Sequence, residues 1–219
     1  MATENMPREL VDSAILRAGP NGITPVGKGR LEQYVEEVAL WGDRIHLIGR
    51  ARSRRNIELL LLDSLLLLKA ANEAVLRREA GRPMRVADIG SGAGFPGLVW
   101  KICAPELDMT LFERKMKPQL FLERIISLLG LEGARVIGTD AAAFGETGSF
   151  DIAVSKAAGR LGIILPLAER LLRPGGAYIT IKGRGWKEEI SEGAQGAMRL
   201  DFALELAERR GFALSFRRR

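Results

Sequence analysis

The sequence predicts an α/β fold: a mostly parallel sheet with helices on both faces, preceded by a helical extension. Three observations lead there. From Arg85 onward, short apolar runs alternate with helical stretches, the rhythm of βαβ units. Before Gly81-Arg82-Pro83, apolar residues instead recur at spacings of three and four. Between the two, a glycine loop, Gly90-Ser91-Gly92-Ala93-Gly94, follows the first apolar run directly. The chain is therefore divided into a helical region over 1–83 and an α/β domain over 84–219.

In the first region, Val11, Ile15 and Ala18 share one helical face, and that helix stops at Gly19-Pro20. Leu31, Tyr34, Val35, Val38 and Trp41 form the apolar stripe of a second helix. The stretch from Ile57 to Glu79 is apolar nearly all round and predicts a helix packed on two sides. Strands are predicted over 85–89, 109–113, 134–138, 151–155 and 177–182. Helices lie between them over 96–104, with Pro96 in the first turn, over 118–129, closed by Gly130, and over 162–172, stopped at Arg173-Pro174-Gly175-Gly176. Alternating apolar residues over 202–206 and 212–216 predict an antiparallel hairpin on the sheet edge, turning near Arg210-Gly211.

Composition narrows the functional classes. The chain has 219 residues, 47% hydrophobic and 27% charged, an ordinary globular balance. The single cysteine, Cys103, excludes an internal disulfide framework and fits a reducing cytoplasm; with only His46 beside it, no metal site is expected. The longest apolar run, Leu59 to Leu68, includes Asp63 and Ser64 and falls short of the roughly 20 residues a membrane span needs. The first ten residues have no signal-peptide character, so a soluble, cytoplasmic chain is expected. Net charge is +6, and five arginines with no acid lie between Arg44 and Arg55. Such a cluster suits an anionic polymer, and equally a solvated face.

The glycine loop stands where a doubly wound sheet binds ligands, beyond the C-terminal end of its first strand. Gly90, Gly92 and Gly94 let the backbone approach a bound nucleoside closely. On glycines alone a dinucleotide fits as well, because Gly92 to Gly97 satisfies G-x-G-x-x-G and Glu113 lies 21 residues after Gly92. Asp88 argues otherwise: a carboxylate two residues before the first glycine would repel a pyrophosphate. It would favour the cationic sulfonium and ammonium of S-adenosylmethionine. Glu113 is placed to accept from ribose hydroxyls, and Asp140, with the backbone of Ala141 and Ala142, to meet the adenine.

These residues resemble the RsmG (GidB) family, methyltransferases acting on N7 of a guanine in 16S ribosomal RNA. Asp88 to Gly97, ending in the unusual Phe95-Pro96-Gly97, carries the resemblance. It extends to Trp41 with residues 45–48, to Leu62-Asp63-Ser64-Leu65, to Ser155-Lys156-Ala157 and to Lys182-Gly183. Lys156 stands where the family has Arg, and Ala142 where it often has Glu. The resemblance implies a Rossmann-like class I methyltransferase fold and cofactor contacts at Gly90, Phe95, Glu113, Ala141, Ala142 and Lys156. Guanine N7 presents a lone pair, so no general base, and no catalytic acid–base residue, is assigned. Lys182 is expected to contact guanine O6 or a phosphate, and Arg50, Arg52, Arg54 and Arg55 to hold phosphates of small-subunit RNA, with the protein acting as a monomer. Competing readings are a small-molecule methyltransferase on the same fold, and an NAD-dependent oxidoreductase or non-enzymatic nucleotide-binding module.

Overall fold

The computed structural model describes residues 5–19, 22–42, 44, 47, 54–74, 82–191, 196–206 and 211–219. Three helices come first: α1 (Met6–Ala18), α2 (Pro25–Trp41) and α3 (Arg54–Ala74). Gly19 ends α1 with φ 80°, and the Thr24 hydroxyl caps α2 by accepting from Gly27 N at 3.0 Å. The expected extension of α3 beyond residue 74 lies outside the described residues.

The sheet elements are β1 (Arg85–Ile89), β2 (Asp108–Phe112), β3 (Ala134–Ile137), β4 (Phe150–Lys156), β5 (Leu172–Gly183), β6 (Met198–Leu206) and β7 (Gly211–Arg218). Helices α4 (Gly97–Cys103), α5 (Met116–Leu129), α6 (Leu161–Leu171) and α7 (Trp186–Ser191) lie between them. The seven strands run in the order β3-β2-β1-β4-β5-β7-β6. The first five are parallel, and the β6–β7 hairpin joins β5 antiparallel, as predicted for the tail. Its turn, 207–210, lies outside the described residues.

Two differences from the sequence reading have local causes. β5 starts at Leu172, not Ala177, because the chain pairs with Phe150 as soon as α6 ends, and a register shift beside Ile152 absorbs the Pro174-Gly175-Gly176 segment. At that end of the sheet, Asp151 is buried and accepts from Arg82 at 2.5 and 2.9 Å, Arg173 at 2.5 Å and the Arg85 N–H at 2.8 Å. Burial works to raise its pKa, and these donors outweigh it and hold the group below its ordinary value. The second difference is α7, whose six residues are too few for a helical period to show in the sequence.

The inner strands β1, β2 and β4 are buried on both faces, which is why they read as apolar runs. Val86, Ile152, Val154 and Ile179 face one core, shared with α1 to α5. Ala87, Ala153 and Tyr178 face the other, filled by α6, Trp186 and Phe216. The N-terminal helices thus pack into the same core as the sheet, with Leu61, Leu65 and Trp100 wholly buried among them. Among the described residues no helix is long and apolar enough to cross a membrane.

Candidate cofactor and substrate site

The strand order reverses between β1 and β4, so the connections leaving them diverge and open a crevice. The chain enters it from β1. Gly90 N and Ser91 N both donate to Phe112 O of β2, at 2.9 and 3.0 Å, and Gly94 N donates back to Ser91 O at 2.7 Å. This tight path needs left-handed backbone at Gly90, Gly92 and Gly94. Behind the loop, the buried Tyr34 hydroxyl of α2 donates to Ala93 O at 2.7 Å, and the Tyr34 ring packs 5.2 Å from Phe95. Burial pushes the Tyr34 hydroxyl pKa far up, which keeps it a donor.

Asp88 is not where the sequence reading placed it. The strand pleat turns its side chain inward with Val86, so the carboxyl is fully buried beneath the loop and does not line the crevice. Its Oδ2 accepts from Gly97 N, the first residue of α4, at 3.1 Å. A Cβ at position 97 would stand 2.6 Å from that oxygen and 2.5 Å from a Leu111 methyl, so glycine is required there. Oδ1 has no hydrogen-bond partner among the described residues. Burial raises this carboxyl from 3.8 to about 7, against the pull of Ser91, the Gly97 N–H and the Lys156 charge. Any stabilisation of a bound cation therefore acts across the loop rather than by direct contact.

The crevice holds a cavity of about 890 Å³. Gly90 and Gly92 form its floor, Glu113 stands at the end of β2, Asp140 and Ala141 past β3, and Ala157 and Ala158 past β4. A second compartment of about 190 Å³ shares Leu47, Gly90 and Gly92 and is closed by Ser91, Phe95 and Lys156. Glu113 Oε2 accepts from Gly92 N at 2.9 Å and Oε1 from Lys115 N at 2.8 Å. Each oxygen keeps a further lone pair for a ligand hydroxyl.

Asp140 lines the cavity while its Oδ1 caps Ala142 N at 3.0 Å. Ala142 itself does not line it: its N–H is taken by Asp140, and its carbonyl, like that of Ala141, accepts from Arg170 at 3.0 and 2.6 Å. Of the two backbone segments expected at an adenine, the structure presents only Ala141. Gly94, too, stays behind the loop, where it lets Leu98 approach.

Lys182 lines neither compartment. Its ammonium donates to Gly159 O and pairs with Glu189 Oε2 at 2.9 Å, and the same oxygen accepts from Leu161 N at 2.8 Å. The sequence reading missed this because α7, which carries Glu189, was not foreseen. The network pins the loop after β4, where Ala157 holds a left-handed φ of 58° at the cavity wall. In this structure Lys182 thus positions that loop. Arg54 pairs with Glu9 of α1, Arg55 is exposed, and Arg50 and Arg52 lie outside the described residues.

The sequence alone did not single out several residues that line the cavity. Met116 and Ile163 line the cavity yet are 72% and 71% exposed, a signal only the folded chain gives. Lys115 and Lys117, with Arg114, were legible as cations directly after a strand-ending acid.

A reversed-order parallel sheet with an antiparallel edge hairpin and a glycine-lined crevice defines a Rossmann-like fold of the methyltransferase type. Solved structures of that fold are similar over most of the chain. A Burkholderia thailandensis 1,6-didemethyltoxoflavin-N1-methyltransferase with bound S-adenosylhomocysteine aligns with TM-score 0.57 at 15% identity, over 83% of this chain and 88% of that one. TrmN from Thermus thermophilus aligns with TM-score 0.54 at 19% identity, over 71% of this chain and 49% of that one. Residues 28–206 match the GidB family, rRNA small subunit methyltransferase G, and the chain belongs to that family. Proteins named ribosomal RNA small subunit methyltransferase G are 34% identical over 166 residues in Chloroflexus aggregans and 38% identical over 135 residues in Sorangium cellulosum. The matches cover 74% and 60% of this chain, and 66% and 54% of those relatives. In Arthrobacter sp. the identity is 34% over 169 residues, 77% of this chain and 74% of the relative.

Proposed function

We propose that the chain transfers a methyl group from S-adenosylmethionine to N7 of a guanine in small-subunit ribosomal RNA. The observation that carries this reading is the joined pair of compartments at the strand-order reversal. One has an acid, Glu113, at the end of β2, where it could hold a ribose, and the other has Lys156 across the glycine loop. The crevice fits a cationic nucleoside: its floor is glycine, and a carboxyl with one unpartnered oxygen is buried beneath.

When bound, S-adenosylmethionine supplies an electrophilic methyl group on its sulfonium. Glu113 would accept from the ribose hydroxyls, Asp140 and Ala141 would border the adenine, and Met116 and Ile163 would give it apolar walls. Phe95 and Lys156 bound the smaller compartment, where the guanine edge would be held with its N7 lone pair about 3–3.5 Å from the methyl. Guanine N7 needs no general base, so positioning and exclusion of water are the chain's contribution. N7 lies in the deep, narrow groove of A-form RNA, so the target base must come from a loop or leave its stack. Among the described residues no cluster of His, Cys, Asp and Glu is placed to hold a metal ion. We read the enzyme as a metal-independent monomer working in the cytoplasm, where its substrate is.

The test is transfer of labelled methyl from S-adenosylmethionine to small-subunit RNA, against free nucleotides, with the modified atom mapped. Label at guanine N7 in the RNA is the expected result. Transfer only to small molecules, or thermal stabilisation by NAD and none by S-adenosylhomocysteine, overturns the proposal.

A further inference from the structure

The mouth of the cavity carries cations that its cofactor does not require. Arg114, Lys115 and Lys117 follow Glu113 directly, are exposed and line the cavity. Among the described residues none of the three side chains takes part in an ion pair or a hydrogen bond. Elsewhere Arg54, Arg85, Arg124, Arg135 and Lys182 are all paired with acids. The first turn of α5 contains no acid either, so its N-terminal amide dipoles add to the positive potential.

S-adenosylmethionine has a sulfonium, an ammonium and one carboxylate, a net charge of +1, and has no phosphate. Three unneutralised cations at its entrance work against it, not for it. They suit an anionic group that arrives beside the cofactor. Met116 stands exposed between Lys115 and Lys117, so apolar and cationic groups alternate along this rim. A polynucleotide has the same alternation of flat bases and phosphates.

We infer that Arg114, Lys115 and Lys117 hold RNA phosphates flanking the target nucleotide, so that the RNA crosses the crevice on the α5 side. This rests on the reading of the chain as an RNA methyltransferase. It adds a contact surface on the cofactor domain, apart from the arginines between Arg44 and Arg55.

The test compares three proteins: the full chain, an Arg114→Gln/Lys115→Gln/Lys117→Gln variant, and an Arg8→Gln/Lys69→Gln/Arg219→Gln control whose sites lie outside the cavity lining. Binding to transcribed small-subunit RNA is measured between 50 and 200 mM salt, and binding to S-adenosylhomocysteine by calorimetry. Each phosphate contact contributes about 0.7–0.9 to the slope of log affinity against log salt. The rim variant is expected to lose about two from that slope and at least tenfold in RNA affinity at 50 mM salt. Its affinity for S-adenosylhomocysteine should stay within twofold of the unaltered chain. A slope equal to that of the control overturns the inference, as does a matching loss of S-adenosylhomocysteine binding, which would assign the cations to the cofactor. If the unaltered chain binds small-subunit RNA steeply with salt and the rim variant does so equally, the rim assignment fails and the RNA reading stands. If the unaltered chain neither binds nor methylates that RNA, both fail.

Discussion

Replacing Asp88 with asparagine should make the ligand-free protein more stable at pH 8 and leave it almost unchanged at pH 4. The native carboxyl keeps its proton to about pH 7, while in the unfolded chain it ionises at its ordinary 3.8. Between those values the native state binds more protons than the unfolded state, so stability falls as pH rises through the window. At ~1.4 kcal/mol per pKa unit, the full penalty above pH 7 is on the order of 4 kcal/mol. An asparagine can still accept from Gly97 N and carries no charge, so Asp88→Asn removes the penalty. For a chain of this size that is on the order of 10 °C in Tm at pH 8. The assay is thermal unfolding of both proteins from pH 4 to pH 8, with and without S-adenosylmethionine. A bound cation offsets part of the cost of the buried carboxylate, so the cofactor should flatten the pH profile of the unaltered chain only. Two parallel profiles over this range would refute the argument, since they would mean that Asp88 does not titrate there.

Two further substitutions probe the same crevice. Gly97→Ala puts a methyl 2.6 Å from Asp88 Oδ2 and 2.5 Å from Leu111, which should cost about 1–3 kcal/mol of stability, read as a lower midpoint in urea unfolding. Lys182→Met leaves Glu189 and Gly159 O without their ammonium partner. We expect a loss of about 1–3 kcal/mol and a raised KM for S-adenosylmethionine, as the loop around Ala157 loosens, with the RNA salt slope unchanged. A reduced salt slope would instead place Lys182 on a phosphate.

The inner parallel strands were legible because they are covered on both faces and bounded by turn residues, as Arg85–Ile89 is by Pro83 and Gly90. The early start of β5 was not, because Pro174-Gly175-Gly176 carries every local mark of a break and only pairing with Phe150 overrides it. Glu113 and Asp140 were found by their place after strands. Asp88 was found as a residue and misplaced as a contact, although the pleat held the answer. Val86 and Asp88 must share a face, and that face carries α4. Lys182 could not be assigned from its own neighbourhood in sequence. Its partner lies seven residues on, in a helix of six residues that has too little periodicity to detect.

The hydrogen bond from Tyr34 to Ala93 joins two parts of the chain that the pattern of residues had separated. A hydroxyl from the second helix fixes a carbonyl in the very turn that would face the ligand. The leading helices are therefore a brace for the nucleoside cradle, not an attachment beside it. An exchange of the first eighty residues between relatives would succeed only where the incoming helix brings its own donor to that carbonyl. A shift of the second helix would reach the glycine turn directly, through that buried phenol and the ring it lays against Phe95.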